Sequence, residues 1–252
     1  MDFFWPMTHC GVPIWQSVFC AGGKRRQVGL GHGTRPSPAA RRNSFALPES
    51  WKQGERSGRV PTVQEIERTL FELAPRDLAQ SWDNVGLLVG DSKQEVHRVL
   101  VALDVTEEVA VEADKTGAEL IVAHHPVLFI PAKDVTDRTL TGRVLLRLAE
   151  RGISSICMHT NLDAAPGGVN GALAARLGLE EVESLGDEGG MGRMGLLSTP
   201  MSQTDFLALV RKRLRPNGIR YVKTRGQIQR VAVGGGACGD ALYEAARRCC
   251  DA

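Results

Sequence analysis

At 252 residues the chain is long enough for one large domain or two small ones with an ample core, and it has no apolar run near the roughly 18 residues that a membrane span needs. The formal net charge of +2 hides a split, because residues 1–60 carry nine Lys/Arg against three Asp/Glu while the rest carries 22 against 26. The region expected to fold is therefore mildly acidic, which argues against a nucleic-acid-binding function.

The six cysteines (Cys10, Cys20, Cys157, Cys238, Cys249 and Cys250) form no C-x-x-C pair. Neither a disulfide framework nor a zinc ribbon is expected, and a reducing, cytoplasmic setting fits best. Residues 1–60 hold scattered Trp, Pro, Arg and Gly without a sustained period. They read as a disordered leader, or as the product of a start codon placed too far upstream. The basic cluster Lys24-Arg25-Arg26 follows the apolar stretch instead of preceding it, which is wrong for a signal peptide.

Order is expected from Pro61. Thr62-x-x-Glu65 is a capping box, Val63, Ile66, Leu70 and Leu73 follow at helical spacing, and Pro75 closes the helix. Val85–Val89 and Val99–Leu103 read as strands. Thr106 caps a helix that stops at Gly117. A strand then runs to His124, a helix spans about 139–151, a strand spans Ile153–Met158, and another helix runs to about Gly178. Beyond these come a strand near 194–198, a helix Thr204–Leu214, and two short strands, Ile219–Lys223 and Arg230–Val233. Strands alternating with helices predict an α/β fold with a mainly parallel sheet.

Two of the six histidines, His124 and His125, sit where the apolar run Leu120–Ala123 meets Pro126. Ligands of α/β proteins bind at the carboxyl ends of strands, and imidazole is the commonest metal ligand. From the pair alone, metal ligation and two histidines solvating a strand end stand equally open. A second strand end repeats the theme: Ile153–Met158 runs into His159-Thr160-Asn161-Leu162-Asp163. If the two strands are neighbours, His124, His125, His159 and Asp163 converge on one rim. That mixture suits zinc, iron, manganese or nickel without choosing among them. Successive side chains of a strand point to opposite faces, so either the strand ends before the pair or the two histidines serve two different ions. Two ions ~3.5–4 Å apart are a known hydrolytic device, and Asp163 has the position to bridge them. A helix cap is the alternative for Asp163. For His159 the alternatives are a backbone-bonded strand end, contact with a metal ligand or substrate, and transfer of a proton.

Four stretches occur in order: Ser81-Trp82-Asp83-Asn84-Val85-Gly86-Leu87-Leu88-Val89-Gly90, Leu103-Asp104-Val105-Thr106, Ala123-His124-His125-Pro126-Val127-Leu128-Phe129, and His159-Thr160-Asn161-Leu162-Asp163-Ala164-Ala165-Pro166-Gly167-Gly168-Val169-Asn170. Residues 61–252 thereby resemble the GTP cyclohydrolase 1 type 2 / NGG-interacting-factor-three-like family of dinuclear-metal proteins. The resemblance implies two similar α/β lobes with mainly parallel sheets, residues 61–180 forming the first and 181–252 an incomplete second. It implies a ring-shaped homohexamer and two divalent metal ions per subunit, held here by His124, His125 and Asp163. It also implies hydrolysis of GTP, or of a related nucleotide or heterocycle.

The same resemblance predicts a later His and Glu as further metal ligands. No histidine follows His159 in this chain, so the C-terminal ligand segment is expected to be missing and the chain to be a fragment of a longer gene product. The rival to a hydrolase is accordingly a non-catalytic metal-binding or scaffold protein, or an inactive fragment. The glycine run Gly234-Gly235-Gly236-Ala237-Cys238-Gly239 lacks the G-x-G-x-x-G spacing and a P-loop lysine, and a tight turn is the better reading. Asp83-Asn84 either lines the cleft or makes the turn before a strand.

Overall fold

The structure, a computed structural model, describes residues 18–20, 59–186, 190–223 and 226–252. The expected disordered leader lies outside the described residues, apart from 18–20 and 59–60. Two sheets organise the described residues. The first has five strands in the order β1 (Val18–Cys20), β3 (Arg98–Ala102), β4 (Leu120–Ala123), β5 (Ser154–Cys157) and β2 (Gly86–Val89). Its centre, β3-β4-β5, is parallel, and β1 and β2 pair antiparallel at the edges.

Local signals set the helices. α1 (Val63–Leu73) begins with the capping box: Thr62 accepts from Glu65 N–H, and Glu65 accepts from Thr62 N–H at 2.9 Å. α2 (Glu107–Thr116) is capped by Thr106 and α3 (Leu140–Arg151) by Thr139. Both stop at a left-handed glycine, Gly117 and Gly152.

The central strands alternate between two cores. Leu100, Ile121 and Ala123 pack with Ala110 and Ala113 of α2 and with Val144 and Leu148 of α3. Leu120, Val122 and Ile156 face the other way, onto Val63, Ile66 and Leu70 of α1. Coverage on both faces is what a parallel sheet requires, and it explains why these strands read as continuous apolar runs.

The helix expected to run to Gly178 is two helices. α4 (Thr160–Ala164) and α5 (Val169–Leu177) are separated by Pro166-Gly167-Gly168. A Cβ on Gly168 would lie 1.9 Å from the Leu162 carbonyl oxygen, so only glycine fits that close approach. The second sheet has three antiparallel strands, β6 (Glu180–Leu185), β7 (Gly192–Met201) and β8 (Ile228–Val233). α5 and α6 (Gln203–Leu214) pack on it through Ala174, Leu177, Phe206 and Val210. α7 (Ala241–Arg247) follows the glycine turn. The strand expected over Ile219–Lys223 is absent among the described residues; Tyr221 and Val222 are exposed and have no sheet edge to pair with.

Two buried side chains join the sheets. Arg193 of β7 donates to the carbonyls of Ala164 and Ala165. Asn170 donates to the Asp163 carbonyl at 3.3 Å and to that of Met191, while its Oδ1 accepts from Gly235 N–H at 2.6 Å. The glycine run is therefore a turn tied to α5, with Gly236 left-handed.

Candidate metal centre

The register of the parallel strands builds the site. Ala102, Ala123 and Cys157 stand side by side. One step further, His125 N–H bonds to Leu103 O at 2.9 Å and Met158 N–H to Ala123 O at 2.9 Å. The carboxyl ends of β3, β4 and β5 thus deliver Asp104, the His124-His125 pair and His159 to one rim. β2 runs antiparallel, with Gly86 beside Cys157, so the preceding Asp83 arrives at the same end.

Of the two alternatives for the histidine pair, the ended strand is what the chain adopts. β4 stops at Ala123, the chain bends at His124-His125, and the two ring centres lie 4.9 Å apart. His159 closes the group, its ring centre 5.2 Å from that of His124 and 5.6 Å from that of His125. One nitrogen of each imidazole lies within 4.8 Å of one nitrogen of the other two. His159, read from sequence with several alternatives, is therefore a full member of the cluster. Asp163 projects from α4 with Oδ1 3.7 Å from His124 Nε2. It is not a helix cap, since α5 starts six residues later at a Gly168 cap.

Each imidazole is held by its Nδ1. His124 Nδ1 meets the Met158 carbonyl at 2.9 Å, His125 Nδ1 meets Asp104 Oδ1 at 2.7 Å, and His159 Nδ1 meets Asp83 Oδ1 at 2.8 Å. A carbonyl or carboxylate oxygen can only accept, so each Nδ1 is the donor and each Nε2 is left to the site. Metal-binding histidines show this pattern, with the distal N–H on a carboxylate or carbonyl.

Asp83 has no exposed side-chain surface. Burial acts to raise its pKa, but hydrogen bonds from His159, the hydroxyl and N–H of Thr160, and Asn84 N–H outweigh it and hold the carboxyl below its ordinary value. For the His124–Asp163 pair, burial dominates both partners. It pushes the imidazole down, against the pull of Asp163, and the carboxyl up, against the three histidines. A buried carboxyl beside an imidazole whose neutral form burial favours is a donor set that a divalent cation would satisfy.

A cleft of about 490 Å³ opens beside His125, bordered by Asp104, Thr106, Glu107, Pro126, Val127 and Leu140. Among the described residues no helix is long and apolar enough to cross a membrane.

A family model described as Duf34/NIF3 (NGG1p interacting factor 3) matches residues 61–252. The chain belongs to this family. Two relatives of this Duf34/NIF3 member share the name GTP cyclohydrolase 1 type 2 homolog. The one from Clostridium perfringens is 34% identical over 189 residues, which span 73% of this chain and 72% of the relative. The one from Streptomyces coelicolor is 37% identical over 198 residues, which span 75% and 69%. Among solved structures, a Staphylococcus aureus hypothetical protein is similar with a TM-score of 0.71 and 29% identity, covering 77% of this chain and 78% of that one. The match begins at Pro61, where the capping-box pattern places the start of order.

Sequence reasoning missed how Asp83 and Asp104 act on the site. Asp83 stands 76 residues from His159 and Asp104 21 residues from His125, and only the sheet register brings them together. Their signal was in the stretches Trp82-Asp83-Asn84 and Leu103-Asp104, where an acidic residue flanks a strand end.

Proposed function

We propose that the rim holds two divalent metal ions and that the protein is a metal-dependent hydrolase of a nucleotide or related heterocycle. One observation supports a metal site here, the count of two being what the resemblance implies: three imidazoles from two neighbouring strand ends have each Nδ1 engaged by an oxygen acceptor, and one nitrogen of each lies within 4.8 Å of the others. In this reading His124, His125 and Asp163 would hold the metal, with His159 completing the imidazole set. A bound divalent cation supplies Lewis acidity there, lowering the pKa of water and polarising the bond under attack.

The chain's own residues do the positioning. Asp104 and the Met158 carbonyl fix the two rings of the pair, and Asp83 fixes His159. The burial that lowers the His124 pKa favours the neutral imidazole, the form in which it can ligate. The cleft beside His125 gives a substrate access. The names of the two relatives make GTP the first substrate to test. A homo-oligomer, in the ring-hexamer form implied by the resemblance, belongs to the same proposal and is read by sedimentation velocity.

The test is elemental analysis after loading with zinc and extensive dialysis. Wild type is expected to retain metal, and His125→Ala and Asp163→Ala to lose most of it with an unchanged far-UV spectrum. A wild-type protein that retains no metal would sink the metal centre. Metal retention without GTP turnover, using His125→Ala as the blank, would remove GTP as the substrate.

A further inference from the structure

Beside the histidine rim stand two aromatic side chains with much of their surface bare. Trp82 is 57% exposed and Phe129 51%. Their ring centres lie 5.9 Å apart with planes at 77°. Each also meets the edge or face of His159, Trp82 at 6.4 Å and 75°, Phe129 at 6.3 Å and 89°. The three rings make a corner whose walls are nearly perpendicular. Trp82 and Phe129 meet edge to face and are not stacked on each other, and about half or more of each residue's surface stays exposed.

The backbone carrying this corner is fixed. Trp82 precedes Asp83, whose carboxylate is bonded to His159, Thr160 and Asn84. Phe129 follows Leu128, whose carbonyl accepts from Asn84 Nδ2 at 2.5 Å. The turn with Trp82 and the loop with Phe129 are thus tied to each other and to the rim. The charged groups paired with the rim histidines are the carboxylates Asp83, Asp104 and Asp163. What these described residues offer a ligand beside the rim carboxylates is an aromatic surface.

We propose that Trp82 and Phe129 form a stacking platform that holds a planar heteroaromatic ring, such as a purine, against the histidine rim. An indole face attracts any π-ring through dispersion and electrostatics. The perpendicular Phe129 wall bounds that ring laterally, and His159 at the base of the corner brings it next to the proposed ligands. The inference deepens the hydrolase reading by naming the part of the substrate that is gripped. It concerns ring binding and needs no turnover.

The experiment is equilibrium dialysis of the full chain, with and without zinc, against guanosine and separately against ribose 5-phosphate. Trp82→Leu and Phe129→Leu remove a flat face and keep an apolar side chain, and Trp82→Phe keeps a flat face. Guanosine affinity is expected to fall about 5- to 100-fold in the two Leu variants, and to be largely kept in Trp82→Phe. Ribose 5-phosphate affinity and zinc content are expected to stay unchanged throughout. The proposal is overturned if guanosine does not bind the wild type, or if it binds Trp82→Leu as tightly. It is also overturned if Trp82→Leu changes the sedimentation coefficient, since the corner would then be a contact between copies. A wild type that takes up no zinc yet still shows the guanosine difference refutes the metal centre alone.

Discussion

Replacing Asp83 with Asn keeps the shape of the side chain and removes its charge, and the local geometry sets the consequence. Asp83 Oδ1 accepts from His159 Nδ1 at 2.8 Å and from Asn84 N–H at 2.7 Å, and Oδ2 accepts from Thr160 N–H at 3.0 Å and from the Thr160 hydroxyl. The Thr160 hydroxyl in turn accepts from Gln80 N–H at 3.0 Å. In Asp83→Asn one oxygen still serves two donors, while the new NH₂ faces Thr160 N–H, which cannot turn into an acceptor. One buried donor is left without a partner, costing about 1–3 kcal/mol, and the surviving bonds lose their charge assistance. The expected loss is about 2–4 kcal/mol in a urea titration of the metal-free protein. His159 also loses its orienting carboxylate, for which about a 10- to 100-fold loss of zinc affinity is expected by competition with a chelator. A variant within about 0.5 kcal/mol of wild type, with unchanged zinc affinity, would refute the claim that Asp83 organises the rim.

Three further expectations follow from the structure. Gly168→Ala must push the new Cβ away from the Leu162 carbonyl, 1.9 Å from its ideal place, and is expected to cost about 2–4 kcal/mol in thermal or urea melts; a neutral effect would mean that the α4–α5 connection is loose. Cys157 is buried, its thiol donating to the His124 carbonyl, and burial with the nearby Asp83 charge pushes its pKa up to about 12; native protein treated with iodoacetamide at pH 8 should be alkylated at exposed Cys249 and not at Cys157, as read by peptide mass spectrometry. The Glu65 carboxyl is lowered to about 2 by the Thr62 N–H and then by Arg59, so its folded pKa lies below its unfolded one and its stabilising contribution is full above pH ~4.5 and lost as pH falls toward 2. Melting temperatures of wild type and Glu65→Gln should differ at pH 6 and converge near pH 2, and a constant gap would exclude the linkage.

How much could be read beforehand depended on where each signal resides. Caps are local, so Thr62 and Thr106 announced their helices and Gly117 an end, while Thr139 and Gly152 bound a helix expected only over about 139–151. The doubly covered strands β3, β4 and β5 were equally plain because burial on both faces makes them continuous apolar runs. β6 was not, since Glu180-Glu181-Val182-Glu183 is exposed and held by pairing with β7 more than by any apolar pattern. The reverse error fell on Ile219–Lys223, whose β-branched and aromatic residues look strand-like but find no partner edge. β7 runs ten residues, not the five expected, because neighbours on both sides extend it. At the site, His124 and His125 were visible as a pair at a strand end. The membership of His159 depended on β4 and β5 being adjacent, and the grip of Asp83 and Asp104 depended on register.

Because the rim is drawn from separate strands joined by α2 and α3, it acts as a checksum on folding. A slip of one residue between β4 and β5 would put Met158 or Thr160 where His159 belongs and turn the neighbouring side chains to the opposite face. An unfolded chain has no such constellation, so an ion bound at the rim would select the correctly registered sheet, adding about 2.7 kcal/mol to stability at a hundredfold excess over its dissociation constant. A metal bound at the rim would then act on the parallel core, and a cell short of metal would hold less of the folded protein.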